Sequence, residues 1–135
     1  MDPHQSETAA ACLKAAEANA MTFPEIVGAL MAAGFEGYEV DLRQARATYF
    51  LPDGEALALA CHESPVPVAP SFDAAALQAA IRQAQTLAPG YTYRGFCDKA
   101  KAAGCAGYMV SFTGRRALYF GRTAETHVEL FPRAA

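Results

Sequence analysis

The stretch AAGFEGYEV, Ala32 to Val40, returns seventy residues later as AAGCAGYMV, Ala102 to Val110. The same ungapped offset pairs Thr22 with Thr92, Phe23 with Tyr93, Gly34 with Gly104 and Gly37-Tyr38 with Gly107-Tyr108. It then holds through Val40/Val110, Leu42/Phe112, Arg46/Arg116, Ala47/Ala117, Tyr49/Tyr119 and Phe50/Phe120. An alanine-rich chain produces chance alanine matches, but not these glycine, tyrosine and phenylalanine ones. The chain is read as an internal duplication, so its fold must be assembled from two like units. With 135 residues, 53% of them hydrophobic, it can bury one core, and the two units must share it.

Each unit opens its second helix in the same way. Thr22 followed by Glu25 is a capping-box pattern, and Pro24 falls in the first turn, where its missing N–H costs nothing. Phe23, Ile26, Val27 and Leu30 then share one helical face, matched by Tyr93, Phe96, Cys97 and Ala100. Gly34 and Gly104 stop the two helices at the left-handed position past the last turn. Beyond them the period drops to two, giving strands through Tyr38, Val40 and Leu42 and through Tyr108, Val110 and Phe112. The second strands follow in ARATYFL and RRALYFG. The turn Pro52–Gly54 leads to a third strand from Glu55 to His62, with its counterpart from about Glu125 to Phe131.

A leading helix precedes each unit: AAALQAAIRQAQ, capped by Asp73, and its equivalent TAAACLKAAEAN. The polar opening MDPHQSETAA, with His4, reads as a frayed end. The proline-rich connector SPVPVAPSF, residues 64–72, joins repeats of approximately 8–63 and 73–133 within a single domain. The expected fold is an α+β two-layer sandwich with about six mainly antiparallel strands and the helices packed on the sheet. Tyr49-Phe50 and Leu118-Tyr119-Phe120 place large apolar groups on both faces of their strands. Hence either the leading helices cover the second face or another chain does.

The elements TFPEIVGALMAAGFEGYEVD, GYMVSFTGRRALYFGR and HVELFP resemble the YdfO-like family of small bacterial and prophage-encoded proteins of unknown function, sometimes titled phage envelope proteins. The likeness runs from about Ala9 onward and is most specific from Gly107 to Pro132. It implies a two-layer α/β sandwich and no activity. The envelope title does not suit a chain without a membrane-length apolar window.

Charge is where the repeats diverge. Residues 22–63 hold seven acids and two bases, a net of −5, whereas residues 92–133 hold three acids and seven bases, a net of +4. The whole chain is at −3, which disfavours general nucleic-acid binding. Such polarity suits association of the acidic repeat of one chain with the basic repeat of another in a homodimer. It equally suits an acidic protein or small anion held by Arg115, Arg116 and Arg122, which flank two turns of the second unit; two merely solvated faces are the plainer alternative.

In ETHVE, Glu125, His127 and Glu129 share one side of a strand. A histidine between carboxylates can be an acid/base or a metal ligand, or simply part of a wet face. Without a gap His127 falls on Leu57; one extra residue in the second hairpin sets it on Ala56 and Val128 and Leu130 on the leucines of the first, an alignment preferred because it keeps apolar on apolar, which leaves His127 outward or in an interface. Cys97 and Cys105 read as small buried hydrophobes, and Cys61-His62 as neighbours on opposite faces of a strand.

Nucleotide-binding, hydrolase and zincin motifs are absent from the sequence, and no cofactor is expected. Four cysteines without a C-x-x-C pair and no apolar leader point to a reduced, cytoplasmic setting off the membrane. The leading expectation is a homodimeric binding module; the alternative is a small enzyme using His127 with Glu125 or Glu129, and the arginines as a substrate clamp.

Overall fold

Side chains at the helix starts supply the caps that the backbone needs. In the computed structural model, which describes residues 1–132, α2 (Phe23–Ala32) begins with the Thr22 box: Thr22 Oγ1 accepts from the Glu25 N–H at 3.4 Å and Glu25 Oε1 from the Thr22 N–H at 2.9 Å. Asp73 caps α3 (Ala74–Gln85) and Thr92 caps α4 (Tyr93–Ala102), each accepting at 3.0 Å from the third residue on. Arg133 and the end of the second repeat lie outside the described residues.

The first helix departs from expectation. α1 runs Pro3–Glu17, so His4 lies inside it rather than in a frayed end. Asp2 and Gln5 form a second capping box, with Asp2 Oδ1 accepting from the Gln5 N–H at 2.8 Å and Gln5 Oε1 from the Asp2 N–H at 3.0 Å. Pro3 at the first helical position completes a start signal that the polar composition obscured. Replacing Asp2 with alanine is expected to lower stability by about 1 kcal/mol in a urea titration.

The six strands of the described residues, β1 (Gly37–Asp41), β2 (Arg46–Phe50), β3 (Ala56–Ala60), β4 (Cys105–Ser111), β5 (Arg116–Gly121) and β6 (Thr126–Leu130), form one antiparallel sheet in the order β3-β2-β1-β4-β5-β6. At its centre Tyr38 pairs with Val110, Val40 with Tyr108 and Glu39 with Met109. Under the seventy-residue offset the last pair maps onto itself and the first two exchange. A pseudo-two-fold axis normal to the sheet therefore passes between Glu39 and Met109. Side chains obey it: Tyr38 and Tyr49 lie 5.5 Å apart at 31°, and Tyr108 and Tyr119 5.4 Å apart at 36°.

All four helices lie over one face and, with the inward side chains of the sheet, build one core. Ala9 and Cys12 of α1, Leu30 of α2, Leu77 and Ile81 of α3, and Phe96 and Cys97 of α4 meet Tyr38, Val40, Tyr108 and Val110 there. The fold is thus the two-layer α+β arrangement expected. The leading helices α1 and α3 join this layer, so of the two covers expected for the second face the leading helices are not the one. Each repeat also reaches across the axis. Phe23 at the start of α2 packs edge-on against Phe131, just past β6, at 5.6 Å, and Tyr93 at the start of α4 packs on His62, just past β3, at 5.9 Å.

Candidate functional site

Strand alternation sends every second residue to the side away from the helices, and the register arranges these residues in three rows. The middle row reads Ala58, Thr48, Glu39, Met109, Leu118, Val128. On one side of it lie Ala56, Phe50, Gly37, Ser111, Arg116 and Leu130, and on the other Ala60, Arg46, Asp41, Gly107, Phe120 and Thr126. None of these belongs to the core cluster. Met109, Val128 and Leu130 are 41, 42 and 62% exposed. One half of this open face is small and charged, while the other is bulky and apolar.

The strand glycines of the repeated phrase differ in their surroundings. The Phe120 ring lies across Gly107, so close that a Cβ there would stand 2.6 Å from Cζ. At Gly37 the nearest atoms are instead the Val110 and Ser111 backbone. Here Phe50, Glu36, Glu39 and Met109 border a shallow depression of about 210 Å³ on the open face.

The candidate arginines do not converge on one point. Arg115 and Arg116 sit at the start of β5 and Arg122 just past its end, a separation of about 20 Å along a strand of this length. Arg115 donates to the Pro132 carbonyl at 3.1 Å, Arg116 to that of Gly114 at 3.0 Å and Arg122 to that of Val68 at 3.3 Å. Arg116 alone belongs to the open face.

His127 and Glu129 point toward the helices, opposite Tyr119 and Ala117, and Val128 and Leu130 point away. This corrects the expectation of an outward His127. The two repeats need no gap: Gly54 and Ala124, seventy residues apart, both adopt positive φ, at 95° and 65°, in hairpins of equal length. His127 therefore takes the position of Leu57. Its Nε2 lies 3.1 Å from Glu129 Oε1, with side chains 19 and 23% exposed. Glu125 is tied elsewhere, accepting from the Thr123 hydroxyl at 2.8 Å.

A better-buried polar group escaped the sequence reading. β3 ends at Ala60, so alternation no longer governs His62, which turns inward. Glu17 Oε2 accepts from the His62 N–H at 2.5 Å and lies 2.9 Å from its Nδ1. Nearby, the Tyr93 and Tyr108 hydroxyls share a hydrogen bond of 2.7 Å, Ser64 donates to Asp98, and buried Lys101 donates to the Ser64 carbonyl at 3.3 Å. The void among His62, Ser64, Tyr93, Cys97 and Lys101 is about 10 Å³, no more than one water needs. Burial pushes the Cys97 thiol up to about 12 and the Cys61 and Cys105 thiols to about 11, which leaves them protonated.

The cluster therefore ties the exit of β3 to α1 and α4 instead of opening a substrate cavity. Glu17→Ala is expected to cost about 1–3 kcal/mol in thermal unfolding, because two donors of His62 lose a charged acceptor. Among the described residues, no three His, Cys, Asp or Glu side chains are placed to hold a metal, and no helix is long and apolar enough to cross a membrane.

No curated protein matches the chain. A family model described as a protein of unknown function matches residues 11–129, from α1 into β6, and so takes in both repeats of the sheet. With most of its length inside that match, the chain belongs to the DUF1398 family of proteins of unknown function.

Proposed function

We propose that this protein is a cytoplasmic binding module that works as a homodimer and presents its basic second repeat to acidic surfaces. The observation that carries the reading is the bare face of the sheet, where Met109, Leu118, Phe120, Val128 and Leu130 stand outward from β4, β5 and β6. A contiguous apolar face of this kind marks an interaction surface. The four free cysteines fit a reducing compartment. The resemblance to YdfO-like proteins is in keeping with it and adds no activity.

Sedimentation velocity across a micromolar concentration series tests the pairing: a dimer supports it, and a monomer throughout overturns it. A polyglutamate peptide tests the acidic partner. Arg115→Ala with Arg122→Ala is expected to weaken peptide binding about tenfold, the worth of one or two charge-assisted hydrogen bonds. His127→Ala is expected to leave it unchanged. The 3.1 Å contact between His127 and Glu129 is what favours an enzyme instead. On that second reading His127→Ala alone would abolish function while the arginine changes only weakened it.

A further inference from the structure

We infer that the second copy lies face to face on the open sheet, about a two-fold axis parallel to the strands and running between β1 and β4. The inference rests on the dimer reading above and adds which residues meet. Two in-plane two-fold axes stack this face on itself with the strands of the two sheets aligned. An axis across the strands sets each repeat on its own equivalent, so that Glu39 faces Glu39 of the partner subunit and the bulky halves collide. An axis along the strands sets the first repeat on the partner's second repeat.

Only the second arrangement matches large with small groups. Along the edges, Ala56, Ala58 and Ala60 of β3 face Leu130, Val128 and Thr126 of the partner subunit, given the register of each row. Stacked sheets pack well when facing positions alternate in size in this way. Further in, Thr48 meets the partner's Leu118 and Glu39 the partner's Met109, which separates the two Glu39 carboxylates.

Charge favours the same axis because it keeps the two Glu39 carboxylates apart, and the arginines are accommodated on it. The partner's Arg116 comes down over Phe50, at the depression bordered by Glu36 and Glu39. An arginine over an aromatic face beside two carboxylates is favourable on both counts. Arg46 meets the partner's Phe120 by the same operation. The acidic repeat thus covers the basic one twice over, which uses the charge divergence of the repeats.

The area also suffices. Six strands at about 4.8 Å spacing and five residues at about 3.3 Å give about 500 Å² of flat surface per copy, or about 1,000 Å² for the pair before side-chain relief, the threshold of a specific interface.

Cross-linking decides between the axes. In a Cys61→Ser background, where the other native thiols are buried, Ala58→Cys and Val128→Cys chains are prepared separately, mixed and treated with a short bismaleimide. Covalent dimers are expected from the mixture and not from either chain alone. The two positions are five strands apart in one chain, about 24 Å, so a link reports on the partner. Linking of Val128→Cys chains by themselves, or a dimer that links in neither setting, would overturn the arrangement while leaving dimerisation standing. A monomer in sedimentation would remove both.

Discussion

Replacing Gly104 with alanine is expected to cost about 3 kcal/mol or more, whereas the same change at Gly34, its equivalent in the first repeat, should cost only about 1–2 kcal/mol. Both glycines close a helix in the left-handed region, at φ 89° and 100°, so both substitutions carry the strain of a Cβ in that region. They differ in what the Cβ would meet. At Gly34 the closest atom is the movable Gln5 amide nitrogen, at 3.3 Å. At Gly104 it is the Ser71 carbonyl oxygen at 2.0 Å, with the carbonyl carbon at 2.8 Å and Phe72 Cα at 2.9 Å. This backbone is the end of the connector, held by the hydrogen bond from the Asp73 N–H to the Ala103 carbonyl at 2.7 Å. It cannot yield without opening the α3–α4 layer, and overpacking adds its own cost to the strain. Urea titrations of the two variants measure the difference; equal losses would show that the connector does not press on this turn.

Met109→Lys is the corresponding prediction for association. Met109 is 41% exposed at the centre of the open face, directly across from Glu39. In the isolated chain the new ammonium gains a cross-strand carboxylate partner, so the unfolding midpoint should hold or rise slightly. In a face-to-face dimer the same ammonium, and the Glu39 carboxylates beside and opposite it, are taken out of water at the middle of the interface, where desolvation costs several kcal/mol per ion and their attraction offsets only part of it. The dimer should therefore weaken by a hundredfold or more. Sedimentation equilibrium alongside thermal unfolding separates the two effects. An undiminished dimer would place the contact away from this face.

Much of the architecture was legible because local chemistry fixes it. Thr22 with Glu25, Asp73 before its alanine-rich helix and the glycines after α2 and α4 each act within a few residues, and the structure uses them as the spacing implied. Asp2-Pro3-His4-Gln5 carried the same kind of signal, hidden by the assumption that polar ends fray. The facing of β6 was not legible. Alternation divides Thr126–Leu130 into two sides but assigns neither to the core, and the rule that apolar residues turn inward chose wrongly. That rule presumes one buried face. Here Tyr119 and Phe131 admit His127 and Glu129 to the edge of the helix layer, while Val128 and Leu130 occupy a face that a single chain leaves open. His62 was missed for another reason: its carboxylate partner Glu17 stands 45 residues away, beyond the reach of any local pattern.

The exchange of Phe23 onto Phe131 and of Tyr93 onto His62 bears on how the chain assembles itself. Neither half owns the aromatic cover of its own edge strand, so a severed half would expose what the other supplies. Two separate halves would have to find each other in solution, and their yield would fall with dilution. The residue 64–72 tether removes that dependence, holding each half at an effective concentration of about a millimolar from the moment it is made. Sequence divergence then becomes affordable, because one half no longer has to recognise an identical twin. It can become acidic and small on its outer face while the other becomes basic and bulky, and both still close on the same core.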